Sequence, residues 1–242
     1  MGGEMMIDDA AIAASALRWW LEAGVDVPVQ EAPRDWLNPV RAAAPAAAAA
    51  PAPAVAAPRE PVPLPETLDL FRDWLGSAKE LPMASAGARR VLPHGEPGAP
   101  VMLLAETPAG EDAAAGRPIA GEAWTLMERM LAAIGLAAED AYSASLSCFH
   151  APGARLGEKE LAACATIARR HIALAAPKRL LLLGDAPARA MLGKSLAEAR
   201  GHVHKVEGVR TIVTFHPRFL LKQPSNKALA WRDLLLLMEE EG

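Results

Sequence analysis

The chain has 242 residues, of which 52% are hydrophobic and 22% charged, and its net charge at pH 7 is −4. This slightly acidic balance argues against broad, non-specific nucleic-acid binding, although it leaves room for a local basic groove. Only two cysteines are present, which argues against a disulfide-framed secreted domain. Because there is no basic-then-apolar leader and no apolar run that could span a bilayer, we expect a soluble protein of the reducing cytoplasm.

The first 40 residues predict a helical segment. Between residues 8 and 23, the apolar side chains of Ile12, Leu17, Trp20 and Leu21 recur at helical spacing. Such an amphipathic helix either binds a partner or packs against its own domain, and the second is the commoner use of an apolar stripe. The sequence identifies no protein partner for it.

Residues 41–65 consist almost entirely of alanine and proline. Proline blocks regular helix and strand, and alanine offers little surface to bury, so this stretch predicts a flexible linker. The linker separates the helical segment, residues 1–40, from a main domain that we expect to span residues 66–242.

The main domain alternates between short apolar runs and helical patterns. The runs predict strands over residues 101–105, 141–146, 179–184 and 212–214, and the patterns predict helices over residues 66–74, 123–134, 158–175, 186–192 and 227–240. This alternation is typical of an α/β fold. We expect a central four-stranded, mainly parallel sheet, flanked by helices and connected by right-handed crossovers.

Three of the predicted strands are followed by polar or turn-forming residues. Glu106 follows the first strand, Ser145 ends the second, and His216 lies on the loop that follows the last. The carboxyl ends of parallel strands meet at one edge of a sheet, so these side chains are expected to converge on one cleft. There a carboxylate can orient water or stabilise a cation, and a histidine can stabilise a leaving anion. The alternative for His216 is a residue that only caps a loop.

Several stretches of the main domain resemble the uracil-DNA glycosylase superfamily, most closely its family 4. Residues 105–109 (AETPA) are similar to the G-E-x-P-G loop of that family, residues 116–121 (GRPIAG) to its G-x-P-F-V-G loop, and residues 216–221 (HPRFLL) to its His-Pro loop. The resemblance runs from about residue 101 to residue 238. The N-terminal helix and the linker also resemble those of alphaproteobacterial members.

The resemblance implies excision of a damaged base from DNA, after the base has been flipped into a pocket. Glu106 would position water or stabilise the cationic sugar, and His216 would donate a hydrogen bond to the leaving base. The residues implied to bind the base are Gly116, Pro118, Ile119 and Ser145.

The resemblance also implies that residues 217–222 contact the DNA. Pro217 would belong to this contact surface, and Leu220 or Phe219 would wedge into the duplex, as apolar side chains do at kinked steps. Arg218 and Lys222 would contact phosphates.

Some motif positions depart from the family pattern. Ile119 stands where the family stacks an aromatic ring on uracil, and such stacking is worth about 1–3 kcal/mol per base. Ser145, or Ala144 if the alignment shifts, stands where the family reads uracil with an asparagine, and neither offers the paired donor and acceptor of a carboxamide. Ala105 and Ala109 replace glycines of the first loop.

The two cysteines match half of a ligand set. Family 4 holds a four-iron cluster with four thiolates, and Cys148 and Cys164 match the spacing of the third and fourth. The first two are absent, because residues 79–90 contain no cysteine. We therefore expect no iron-sulfur cluster, no other cofactor and no metal, with the two thiols as remnants.

Three functions remain open from the sequence. The first is a working DNA glycosylase, which Glu106 and His216 favour. The second is a catalytically impaired protein of the same fold that binds DNA or a partner, which the departures favour. The third is an unrelated small-molecule enzyme, which no phosphate-binding loop supports. For either of the first two, we expect a monomer that acts on DNA and not at a membrane.

Overall fold

The computed structural model describes Ser15, residues 64–154 and residues 156–239. The chain divides into two units, Met1–Arg59 and Glu60–Gly242. The N-terminal helix and nearly all of the linker lie outside the described residues, so their boundaries stay predictions. The fold below is that of the second unit.

The described part of the second unit alternates between strands and helices, as the sequence predicts. The strands are β1 (Arg89–Arg90), β2 (Val101–Ala105), β3 (Ala141–Ser145), β4 (Phe149–His150), β5 (Arg179–Leu183), β6 (His204–Val206) and β7 (Val209–Thr214). The helices are α1 (Leu68–Ser77), α2 (Gly110–Ala115), α3 (Gly121–Ala133), α4 (Glu158–Ala175), α5 (Asp185–Leu192), α6 (Leu196–Ala199), α7 (Pro217–Lys222) and α8 (Lys227–Met238). None of the described helices is both long and apolar enough to cross a bilayer.

The central sheet has the strand order β3-β2-β5-β7-β6. The first four of these strands run parallel, which confirms the predicted α/β architecture. The fifth strand, β6, pairs antiparallel with β7 at the edge and was not predicted. It escapes prediction because its three residues, His-Lys-Val, form no apolar run. A short, charged strand is typical of an exposed sheet edge.

Apolar side chains cover both faces of the sheet. Along β2, Val101 and Leu103 pack into one core cluster with residues of α3 and α8. The alternate residues, Met102 and Leu104, pack into a second cluster with residues of α4 and α5. Every residue of β2 is buried, which explains why the strand reads as a continuous apolar run.

A short helix that the sequence did not predict, α7, begins directly after His216. His216 is the N-cap of α7, and Pro217 occupies the first helical turn. Proline favours this position because its fixed φ suits a helix and its missing N–H has no helical partner to lose. His216 thus lies on the loop before this helix, as predicted, whereas the helix itself was not predicted, because its start depends on the helix-starting use of proline.

A buried hydrogen-bonded chain lies beneath α1. Arg72 donates to the hydroxyl oxygen of Tyr142 over 3.3 Å, and that hydroxyl lies 2.7 Å from Nε2 of His171. The Tyr142 oxygen can accept from Arg72 and also either donate to or accept from Nε2 of His171, depending on the tautomer of that histidine. Burial, together with the charge of Arg72, lowers the pKa of His171 to about 3.

This buried histidine predicts a loss of stability in acid. His171 is neutral in the folded state down to about pH 3, but titrates near 6.5 in the unfolded chain. Unfolding therefore takes up a proton, and stability present above pH 6.5 should fall by about 1.4 kcal/mol per pH unit below it. Urea unfolding at pH 6 and pH 4 should show a shallower loss for His171→Gln than for the exposed control His202→Gln. Equal slopes in the two variants would contradict this assignment.

Candidate active site

The carboxyl ends of β2, β5 and β7 meet at one edge of the sheet, with β5 in the middle. Glu106 follows β2, Gly184 and Asp185 follow β5, and His216 follows β7. A Cβ on Gly184 would lie 4.0 Å from the Cβ of His216, and Asp185 acts electrostatically on Glu106. The structure thus places Glu106 and His216 at the same edge, on either side of the end of β5.

The imidazole of His216 is held in one tautomer. Its Nδ1 accepts a hydrogen bond from the backbone N–H of Arg218 over 3.1 Å, which caps α7. Burial, followed by the charge of Arg218, lowers the pKa of His216 to about 4, so the ring is neutral at pH 7. With Nδ1 as an acceptor, the single ring proton lies on Nε2. His216 therefore caps α7 through Nδ1, while its Nε2–H can still donate a hydrogen bond to a ligand.

Glu106 lies at the surface of the same edge. Partial burial of its carboxyl, and then the negative charge of Asp185, raise its pKa above the ordinary value. Its loop is paired with the loop after β3: the Glu106 carbonyl accepts from Ser147 N over 3.3 Å, and the Ala105 carbonyl from Leu146 N over 2.9 Å. The carboxylate therefore projects from a backbone that is tied down on one side.

Asp185 is a site residue that the sequence analysis misses. Its carboxylate accepts from the Leu196 N–H over 2.8 Å and pairs with Arg189. These contacts fix the start of α5 and lower the pKa of Asp185. The signal in the sequence was Asp185 directly after the third predicted strand, in the position that Glu106 takes after the first.

The neighbouring charge predicts a shift in the pH profile. If Glu106 acts as a carboxylate, its raised pKa makes activity fall earlier as pH decreases. Asp185→Asn keeps an oxygen acceptor for Leu196 but removes the charge, so the pKa of Glu106 should fall and activity should persist to lower pH. The measurement is the acid limb of kcat/KM for base release, with the exposed Glu198→Gln as control. An acid limb unchanged by Asp185→Asn would remove Asp185 from the site.

The loop that precedes α3 is largely buried. Gly116 ends α2 in the left-handed region, with φ of 67°, and Pro118 is buried. Ile119 is 0% exposed and belongs to the core cluster on the α3 face. An everted base can therefore contact Ile119 only if the side chain or its loop shifts.

Ser145 presents an unsatisfied hydroxyl. Its Oγ is buried and has no hydrogen-bond partner among the described residues, and an unmade hydrogen bond of this kind costs about 1–3 kcal/mol. Ser145 lies opposite Ala105 in the β2–β3 register. Ala105 packs in the same core cluster as Ile119. Ala144 packs into the opposite cluster. Of the two alternatives for the base-reading position, Ser145 is the one on the Ile119 face.

The predicted DNA-contact residues divide into exposed and buried ones. Phe219 is 43% exposed and stacks on Phe215 with ring centroids 5.1 Å apart, whereas Leu220 is only 1% exposed. Phe219 is therefore the better placed of the two alternatives for the wedge. Pro217 is buried, and Lys222 is exposed at the end of α7.

Arg218 has an internal partner that the sequence analysis does not foresee. Its guanidinium donates to Oδ1 of Asp112 over 2.6 Å. Asp112 is 0% exposed, and Arg218 is 28% exposed. At least one of the N–H donors of Arg218, which the sequence analysis assigned to a DNA phosphate, is therefore used inside the protein. No spacing rule connects two residues so far apart in the chain.

The residues present do not fit a four-iron cluster. Cys148 and Cys164 are both buried, and Phe71, Leu81 and Phe149 pack in the apolar cluster that contains Cys148. Burial raises the pKa of Cys148 to about 11 and that of Cys164 to about 12, so both are thiols rather than thiolates. The whole sequence supplies no third cysteine. Within residues 64–154 and 156–239, no other group of His, Cys, Asp or Glu forms a metal site.

Comparison with known proteins gives a consistent result. The family model described as the Uracil DNA glycosylase superfamily matches residues 92–235. A protein of Pyrobaculum aerophilum named Type-4 uracil-DNA glycosylase is 23% identical over 180 residues, which cover 70% of this chain and 92% of that protein. A protein of the same name from Thermotoga maritima is 30% identical over 132 residues, which cover 52% of this chain and 69% of that protein. A third protein of this name, from Sulfurisphaera tokodaii, is 25% identical over 186 residues, which cover 72% of this chain and 84% of that protein.

Proposed function

Because this chain belongs to family 4 of the uracil-DNA glycosylase superfamily, we propose that it hydrolyses the N-glycosidic bond of uracil or another deaminated base in DNA. The observation that carries the proposal is the edge shared by Glu106 and a neutral His216. We also propose that the protein acts on DNA as a monomer, in the cytoplasm.

In this mechanism, His216 stabilises the departing base. When the bond from the sugar carbon to the base nitrogen breaks, the electron pair stays on the base and negative charge develops on its carbonyl oxygens. The Nε2–H of His216 donates a hydrogen bond to that charge. A neutral imidazole with a pKa of about 4 holds its proton on Nε2 at pH 7, and such preorganised donors typically supply a factor of about 10²–10³ in rate.

Glu106 acts on the other fragment. Its carboxylate stabilises the cationic sugar and orients a water molecule towards the sugar carbon. The water oxygen bonds to that carbon, and a water proton passes to the carboxylate. Because both steps require the ionised form, the raised pKa of Glu106 places the onset of activity at a higher pH than an ordinary glutamate would.

Two observations favour a second candidate, a protein that binds DNA or a partner but excises slowly. Ile119 exposes no surface for the base, and Ser145 offers one hydroxyl in place of an amide. A hydroxyl rotates and lacks the fixed pair of donor and acceptor that a carboxamide presents, so it discriminates uracil from other bases less sharply. This predicts either a broader range of deaminated bases or weak catalysis.

A panel of labelled oligonucleotides separates the two candidates. Single- and double-stranded DNA carrying uracil, hypoxanthine or xanthine is incubated with the wild type and with Glu106→Ala. Alkali-labile sites at one or more lesions, above the level of the variant, support the glycosylase. If none of the lesions yields such sites while the DNA is still bound, the binding candidate replaces it.

We also propose that the protein folds and acts without an iron-sulfur cluster. Purified protein should contain iron and sulfide far below stoichiometric levels, and it should lack visible absorbance, because two protonated thiols cannot hold four irons. The double variant Cys148→Ser, Cys164→Ala should show the same iron content and the same base release as the wild type. Stoichiometric iron and sulfide that disappear in the double variant would overturn this proposal.

A further inference from the structure

The carboxylate of Asp112 joins three segments around the site. Its Oδ2 accepts from the backbone N–H of Ala109 over 2.7 Å. Its Oδ1 accepts from the backbone N–H of Ala120 over 2.7 Å and from the guanidinium of Arg218 over 2.6 Å. The three donors come from the loop after β2, the loop before α3 and the first turn of α7.

Burial makes these contacts strong. Asp112 is 0% exposed, so its charge has no water to replace a lost donor. A buried charge that keeps all its partners is tolerated, whereas removal of one partner leaves it uncompensated. Each of the three segments is therefore held to the same point, and none can shift alone without breaking a charge-assisted hydrogen bond.

Each segment also carries or adjoins a residue of the candidate site. Ala109 lies three residues after Glu106, and Ala120 follows Ile119. Arg218 connects to the ring of His216, because its backbone N–H donates to Nδ1 of that histidine. Two contacts of Arg218 thus connect Asp112 with His216: the ion pair of its guanidinium with Asp112, and the hydrogen bond from its backbone N–H to the His216 ring.

We propose that Asp112 is a positioning residue that fixes Glu106, the loop before α3 and His216 relative to one another through its hydrogen bonds to Ala109, Ala120 and Arg218. This inference rests on the proposed function. Displacement of a reacting group by about 1 Å can cost about 10²-fold in rate, so loosening the three segments should slow the chemical step more than it weakens DNA binding. Arg218 then serves the geometry of the site rather than a phosphate.

The chain offers a matched control for Asp112. Asp140 caps the short helix Ala138–Asp140 in the same way, with its carboxylate accepting from the backbone N–H of Ala137 over 2.8 Å, but it is only partly buried. Asp140→Asn therefore changes the same local cap at a distance from the site. The variants to compare are Asp112→Asn, Arg218→Gln, the double variant of these two, and Asp140→Asn.

Single-turnover release of uracil from a labelled oligonucleotide, at saturating enzyme, measures the chemical step. We expect Asp112→Asn and Arg218→Gln each to slow it by about 10–100-fold, with the Kd for the oligonucleotide changed by less than about threefold. The double variant should be no slower than the worse single variant, because the two residues act as a unit. Asp140→Asn should behave like the wild type.

Amide hydrogen exchange provides a readout that needs no substrate. The amides of Ala109 and Ala120 should exchange faster in Asp112→Asn and in Arg218→Gln, but not in Asp140→Asn. If the wild type releases no base from any lesion, the proposed function fails. The exchange rates alone then show whether Asp112 holds the three segments together.

Two results would overturn the inference. In the first, base release by Asp112→Asn stays within twofold of the wild type, or the two amides keep their protection. In the second, Arg218→Gln weakens DNA binding and lowers its salt dependence by about one ion, as loss of a phosphate contact does, while Asp112→Asn leaves both unchanged.

Discussion

Replacing His216 by alanine should slow base release by about 10²–10³-fold, the usual loss when one preorganised donor to a developing anion is removed. The Nε2–H is the donor that the site loses. Binding of lesion-containing DNA should change far less, because the interaction strengthens only as the bond breaks. The measurement is the single-turnover rate at saturating enzyme, with the exposed His202→Ala as control.

The substitution His216→Asn separates the two roles of this side chain. Asparagine is a good N-cap, so it can keep the hydrogen bond to the Arg218 N–H and preserve α7, but it lacks an Nε2–H. We therefore expect His216→Asn to be nearly as slow as His216→Ala, while only the alanine variant loses about 1 kcal/mol of cap stability. Wild-type rates in His216→Asn would reduce His216 to a capping residue.

Replacing Arg200 by alanine should have the largest effect on stability, a loss of about 3–5 kcal/mol. Asp233 is 1% exposed, and its carboxylate accepts from Arg200 over 2.8 Å and from the Thr214 hydroxyl over 2.7 Å. Without Arg200, the contact that remains to the buried charge within the described residues is the neutral hydroxyl of Thr214. Because Thr214 is the last residue of β7 and Asp233 lies on α8, the pair supports the strand end that leads to His216.

Arg169 supplies the matched control for Arg200. It pairs with Glu207 over 3.1 Å, with the two side chains 42% and 35% exposed, and it donates to the Met191 carbonyl over 2.6 Å. Exposed pairs contribute about 0–1 kcal/mol, and neither contact leaves a buried charge behind when Arg169 is removed. Urea unfolding should therefore show a large loss for Arg200→Ala and a small one for Arg169→Ala. Equal losses would contradict the assignment of Asp233 as a buried, dependent charge. The double variant Arg200→Met, Asp233→Leu should recover much of the loss, since it removes the charge itself.

The repeating elements of the fold could be predicted from the sequence. The bounds of β2 (Val101–Ala105) and α4 (Glu158–Ala175) agree with their predictions, because an unbroken apolar run and an apolar stripe directly express burial. The edge strand β6 and the helix α7 could not be predicted in the same way. β6 gains its structure from pairing with β7, and α7 depends on one capping side chain and one proline.

The candidate site was only partly predictable. Glu106 and His216 could be singled out because each follows a strand. The contact of Asp112 with Arg218 spans 106 positions of the chain, and no local pattern encodes a pairing created by the fold. The burial of Ile119 and Leu220 likewise depends on how α3, α7 and α8 pack, which spacing alone does not determine.

The most direct test is a double-mutant cycle on Glu106 and His216, read out as free uracil released from single-stranded DNA in one turnover. If both side chains act in the same bond-breaking step, His216 on the base and Glu106 on the sugar, Glu106→Gln and His216→Ala each lose about 10²-fold or more. The double variant then falls by much less than the product of the two losses. Losses that multiply fully would show that the two side chains act in independent steps, and a wild type that releases neither uracil nor another deaminated base would contradict the proposed function.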